Sequence, residues 1–151
     1  MGKTPIRQVL LRIVFGLYFL ALFAATHLPV PVVLVSVVSL FDLLIHCAAF
    51  FVLTVLAILT FYWRFKPQFR GWSDGFGLVP TRVPSFILPI LLIAYAALDE
   101  YLQQFVNRYP DVRDWLADTV GILLAWGILR VCAARWLSQL PEDAESTSEQ
   151  S

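Results

Sequence analysis

Four long apolar runs divide the chain, and polar residues crowd at particular ends of them. The runs are roughly Val9–Leu28, Phe41–Trp63, Pro84–Phe105 and Asp114–Trp136. Each is about 20 residues or more, the length at which a helix rising 1.5 Å per residue crosses a bilayer. The pattern predicts an all-α membrane protein, with four transmembrane helices in a compact bundle. The stretch Pro29–Leu40 (PVPVVLVSVVSL) is also apolar but short, with two prolines. It reads as a half-buried or re-entrant segment between the first two spans, in preference to an early start of the second. Lys3 and Arg7 precede the first run as in a signal peptide, but its apolar core exceeds the usual length and no A-x-A site closes it. It is expected to be a retained span. Residues 1–137 then form one transmembrane domain, and residues 138–151, ending in PEDAESTSEQS, a disordered acidic tail.

Composition supports lipid as the solvent. Hydrophobic residues make up 59% and charged residues 15% of 151, against about 45–50% and 25% in soluble domains. A domain this small exposes too much surface to hide that much oil from water. The net charge is zero and no basic face forms, which excludes a nucleic-acid partner. Cys47 and Cys132 fall near opposite membrane faces, too far apart for a disulfide. With four spans, Lys3, Arg7, Arg12, Arg64, Lys66, Arg70, Arg82, Arg130 and Arg135 share one side, and only Arg108 and Arg113 the other. The positive-inside rule then places both termini in the cytoplasm of a multi-pass protein of the plasma (inner) membrane. The middle loop, RFKPQFRGWSDGFGLVPTR, interleaves aromatic and basic residues as an interfacial belt on anionic headgroups would. Its glycines do not read as following a strand and opening a helix, so they do not suggest a phosphate loop.

The same threading collects the acids. Thr26 and His27 end span one, Asp42 and His46 begin span two, DEYLQQFVNR (99–108) ends span three, and Asp111, Asp114 and Asp118 begin span four. Both histidines, and every acid before the tail except Asp74, fall at one face. Asp42 and His46 are i and i+4 on one helix face, as are Glu100 and Gln103 at i+3. Asp111 reads as a helix-start acid, favoured by the dipole, and His27 as an interface residue. Asp99 lies about 100° around its helix from Glu100 and need not face the same site. Asp114 and Asp118 share a stripe with Ala117, Gly121 and Ala125, whose four-residue spacing lets another helix come close. Carboxylates at this depth are expensive, so they should face the bundle interior and pair. Arg108 is the expected partner, by bidentate hydrogen bonding.

These residues resemble a known pattern. D-x-x-x-H (Asp42, His46), D-E-x-x-Q (Asp99, Glu100, Gln103) and R-x5-D-x3-D-x2-G (Arg108, Asp114, Asp118, Gly121) are similar to the VanZ-like family of bacterial membrane proteins, over about Asp42 to Gly127. The resemblance implies a small multi-span helical protein of the cell envelope, in a family named for a protein linked to low-level resistance to teicoplanin, a glycopeptide antibiotic. Leu43 stands where the pattern often has lysine, Asn107 where it often has glycine, and Phe50 where it often has tyrosine.

Three functions stay open. In the first, an outward-facing site binds or processes an amphipathic envelope molecule, such as a lipid-linked precursor or a glycopeptide, within membrane lipid. His46 is then acid or base and Glu100 its counterpart, while Asp42, Gln103, Arg108, Asp114 and Asp118 bind and orient the ligand. In the second, the cluster only locks the bundle, and function lies in an oligomer or partner. In the third, the protein is a proton-coupled transporter, but LTVLAILTF and LLAWGILRV offer few relay groups. No cofactor is expected. His46, Glu100 and Asp118 could ligate a divalent ion, but there is no HExxH or paired-cysteine signature, so no metal is expected either.

Overall fold

A computed structural model describes residues 6–27, 39–67, 76–106 and 110–138. The apolar runs become four helices: α1 (Ile6–His27), α2 (Ser39–Tyr62), α3 (Ile87–Gln103) and α4 (Val112–Leu137). α1, α2 (over Phe41–Tyr62) and α4 are long and apolar enough to cross a membrane. α3 has 17 residues, about 25 Å at the α-helical rise, just under the thickness of the hydrocarbon core. It continues into a 3-10 turn, Gln104–Val106. The molecule is thus an all-α membrane protein, in which three helices rather than four, among the described residues, meet the spanning length by themselves. Proline explains the late start of α3. Pro84 precedes the first helical residue, while Pro89 lies in the first turn, where a missing N–H costs nothing. The segment 29–38, the tail 139–151 and Arg108 lie outside the described residues.

The middle loop differs from the sequence reading, which assigned it no strand. β1 (Trp63–Pro67) and β2 (Phe76–Pro80) pair antiparallel, with Trp63 opposite Pro80 and Pro67 opposite Phe76. The alternation in W-R-F-K has the period of a strand. The two prolines of β1 and β2 close the strand ends, where their missing donors do least harm. Thr81 seals the base, donating both its backbone N–H and its hydroxyl to the Tyr62 carbonyl, each at 2.8 Å.

α1 and α3 run from this hairpin toward the acids; α2 and α4 run the other way. The central pair is α2 and α4, parallel and in intimate contact. Gly121 is the reason: a Cβ there would collide with the Cys47 carbonyl oxygen and lie 3.0 Å from the Phe51 nitrogen. Gly121 and Ala125 are buried, so the small-residue stripe faces α2. In lipid no hydrophobic force pulls helices together, and close backbone approach supplies the packing energy instead. Around this seam Phe50, Leu53, Leu92, Ala96 and Ile122 form the core, with Phe15, Tyr18 and Phe19 of α1 packed against it. Leu10, Leu17 and Leu20 of α1 and Leu123, Leu124 and Val131 of α4 face outward, as a lipid-facing surface should. Cys47 and Cys132 are free.

Candidate functional site

The acidic end is assembled by helix ends. Asp42 lies in the first turn of α2 and is exposed; His46, one turn deeper, is half-buried. α4 opens at Asp111, whose extended backbone (φ −119°, ψ 117°) and side chain make an N-cap, the carboxylate accepting from the Arg113 N–H at 2.9 Å. This is the helix-start role its sequence position suggested. One turn on comes Asp114, and one turn deeper Asp118, 2% exposed. The i, i+4 spacings on two parallel helices bring these pairs face to face. His46 Nδ1 is 3.1 Å from Asp118 Oδ1, and His46 Nε2 is 3.9 Å from Asp114 Oδ2. Asp42, His46 and Asp114 each offer one donor atom, and the three lie within 4.8 Å of one another.

α3 contributes from the other side and splits its two acids. Glu100 turns to the start of α4: Oε1 accepts the Asp111 backbone N–H at 2.6 Å, and Oε2 accepts from Gln103 Nε2 at 3.1 Å. Glu100 thereby clamps the end of α3 to the first turn of α4 and satisfies an amide no helix bond reaches. It stays within electrostatic reach of His46, Asp114 and Asp118. Asp99, 3% exposed, turns to α1. It accepts from the Thr26 hydroxyl at 3.2 Å and the Tyr95 hydroxyl at 3.4 Å, and His27 Nδ1 stands 3.7 Å away. His27 stacks on Phe23, its neighbour one turn earlier.

Of the residues singled out from sequence, Asp42, His46, Asp114 and Asp118 form one contact group, and Glu100 with Gln103 lies beside it. Sequence reasoning placed Thr26, His27 and Asp99 at this end but missed Tyr95 and the contacts that join Asp99 to Thr26 and Tyr95, and treated His27 as an interface residue only. The signal for Tyr95 was there, since Tyr95 and Asp99 are i and i+4. What the sequence lacked was the position of α1. Asp99 and Asp118 interact electrostatically, so the His27–Asp99 and His46–Asp118 pairs belong to one continuous polar layer.

Beside that layer, a lateral groove of about 250 Å³ is lined by Ala97, Glu100, Tyr101, Pro110, Val112 and Trp115. The Trp115 indole donates to the Ile93 carbonyl at 3.3 Å, which fixes the ring as a wall of the groove. A polar layer with an apolar groove at its edge can receive both ends of an amphipathic molecule. The sequence model of the VanZ/LLP1 family matches residues 2–133 of this chain. No curated protein and no solved structure matches it.

Proposed function

The chain belongs to the VanZ/LLP1 family, and from that premise we propose that its acidic end is an outward-facing site for an amphipathic envelope molecule. α3, extended by its 3-10 turn and by the residues before it, completes a fourth crossing. The termini and the hairpin then face the cytoplasm, as the nine-to-two split of basic residues favours. The acidic end lies under the external water of the plasma membrane. There its carboxylates and imidazoles offer acceptors and donors to a head group rich in hydroxyls and amines, as in a lipid-linked sugar–peptide precursor or a glycopeptide. The groove between Tyr101 and Trp115 takes the apolar part. Protection against a glycopeptide antibiotic is one consequence such binding would have.

The observation that carries this reading is the carboxylate-backed imidazole. Asp118 is buried and hydrogen-bonded to one nitrogen of His46, so the other nitrogen is directed toward the mouth between Asp42 and Asp114. A buried acid that orients a histidine is the arrangement of a proton-handling group. In this reading His46 transfers the proton and Asp118 orients it. Glu100 fixes the first turn of α4 that carries Asp114, and Gln103 and Arg108 complete the binding surface.

A structural role has its own support, because both oxygens of Glu100 are already committed within the protein. Between the two ends lie the apolar Phe50, Leu53, Leu92, Ala96 and Ile122, and the buried Thr54 beside them donates to the Phe50 carbonyl of its own helix, so transport gains nothing from these residues. The test is direct binding of a lipid-linked sugar–peptide precursor to the full chain in nanodiscs. His46→Gln keeps a donor for Asp118 and should leave the fold intact while abolishing binding or turnover. Undiminished binding by folded His46→Gln and Glu100→Gln proteins would remove the proposal.

A further inference from the structure

The geometry points to a divalent-cation site formed by Asp42, His46 Nε2 and Asp114, of the kind that takes Zn²⁺ or another borderline transition ion. The imidazole, rather than the acids, marks it. His46 has one nitrogen on the buried Asp118 carboxylate at 3.1 Å. A carboxylate on the far nitrogen fixes the ring's tautomer and orientation in metal-binding histidines and leaves the near nitrogen's lone pair free to ligate. Here the near nitrogen faces Asp114 Oδ2 at 3.9 Å, and Asp42 adds its oxygen within the same 4.8 Å triangle. Around an ion with ligands at about 2.0–2.2 Å, neighbouring donor atoms stand about 3.3–3.6 Å apart in a tetrahedron. Small side-chain rotations bring all three to that spacing. One imidazole with two carboxylates leaves at least one open position, as catalytic and substrate-binding sites do.

This is a different set from the one the sequence suggested. Asp118 sits on the wrong nitrogen to be a ligand and backs the ring instead. Glu100 has its oxygens on the Asp111 amide and on Gln103. With Nε2 on a cation, His46 no longer transfers a proton, so the cation replaces that step and deepens the head-group binding of the proposed function, on which this consequence alone rests. Asp42, Asp114 and Asp118 repel a phosphate, and a bound divalent ion inverts the local sign and gives a phosphate-bearing head group an oxygen-binding position.

The test uses the full chain in phosphatidylcholine nanodiscs, stripped with chelator, then titrated with Zn²⁺ alone and assayed for metal after dialysis. Saturable, stoichiometric binding is expected. It should vanish in His46→Gln and fall in Asp114→Asn and Asp42→Asn. Asp118→Asn should weaken it about 10–100-fold, the usual cost of losing a group that backs a ligand. Asp42 is exposed, so Asp42→Asn keeps the fold and leaves the proposal open to refutation. Absence of saturable binding by folded wild-type protein overturns the site, and so does unchanged affinity in Asp42→Asn. Head-group binding that is equally strong in chelator overturns the link to phosphate. Zinc binding with no head-group binding upholds the metal site and removes the function proposed above.

Discussion

The two ends of the bundle use polar groups in opposite ways. At the hairpin end, side chains reach for loose backbone. Gln8 Nε2 donates to the Thr60 carbonyl at 3.2 Å, and Trp126 Nε1 to the Ser85 carbonyl at 3.1 Å. Arg130 donates to the Pro84 carbonyl and lies over the Phe86 and Trp126 rings. The Tyr62 and Ser85 hydroxyls bond each other at 2.7 Å, and Arg82 lies over the Tyr62 ring. Three of these side chains, Gln8, Trp126 and Arg130, answer one need: where helices stop near lipid, exposed carbonyls must find donors. At the acidic end some side chains do the same: Thr26 and Gln104 donate to the Phe23 and Tyr101 carbonyls, and Glu100 and Asp111 accept backbone N–H groups. Asp118, Asp114, Asp42 and His46 are turned on one another, and Asp99 on Thr26, Tyr95 and His27. Ionisable groups near a membrane are costly, and the fold does not need them there to close its hydrogen bonds. Under the proposed function, the difference separates a structural end from a chemical one.

That comparison can be broken first at the seam both ends share. Gly121→Leu drives a side chain into the α2 backbone at Cys47. It should separate α2 from α4 and leave no folded protein, since even moderate overpacking costs about 1–3 kcal/mol and here the obstacle is main chain. Folded Gly121→Leu protein on detergent chromatography would mean that α2 and α4 are not in close contact. The next effect is smaller and local. Arg130→Ala should lower thermal stability by about 1–2 kcal/mol, through the lost carbonyl bond and ring contacts. A variant as stable as wild type would show that the hairpin end is not held as described. The smallest sharpens the other side. Thr26→Val removes one hydrogen bond to Asp99 and should cost about 0.6 kcal/mol, the average for such bonds between membrane helices. A loss several times larger would make Asp99 and α1 a structural anchor and blur the contrast.

Much of this was legible in the chain, and the reasons are specific. Apolar runs of bilayer length gave the helices within a few residues, because lipid allows few other solutions. Threading four runs put Asp42, His46, Glu100, Asp114 and Asp118 at one end without any knowledge of packing. Helical phase then gave the faces, such as Asp42 with His46, and the small stripe at Gly121. Phase does not say which helix stands on each side. Asp99 and Glu100 are adjacent in sequence, yet one answers α1 and the other α4, and only coordinates separate them. The same limit hid Asp118, rather than Glu100, as the partner bonded to the imidazole. The hairpin escaped for a different reason. Strands of five residues within an aromatic, basic loop carry too little pattern to stand out from an interfacial belt.

The central claim is that His46 and its carboxylates work while the hairpin end holds. It is tested most directly by measuring thermal unfolding and binding of a lipid-linked sugar–peptide precursor on two variants in the same nanodiscs. The account predicts a crossing: His46→Gln unfolds at the wild-type temperature and no longer binds, whereas Arg130→Ala unfolds earlier and still binds. If His46→Gln loses stability as much as Arg130→Ala does, or binds as wild type does, the division between the two ends is contradicted.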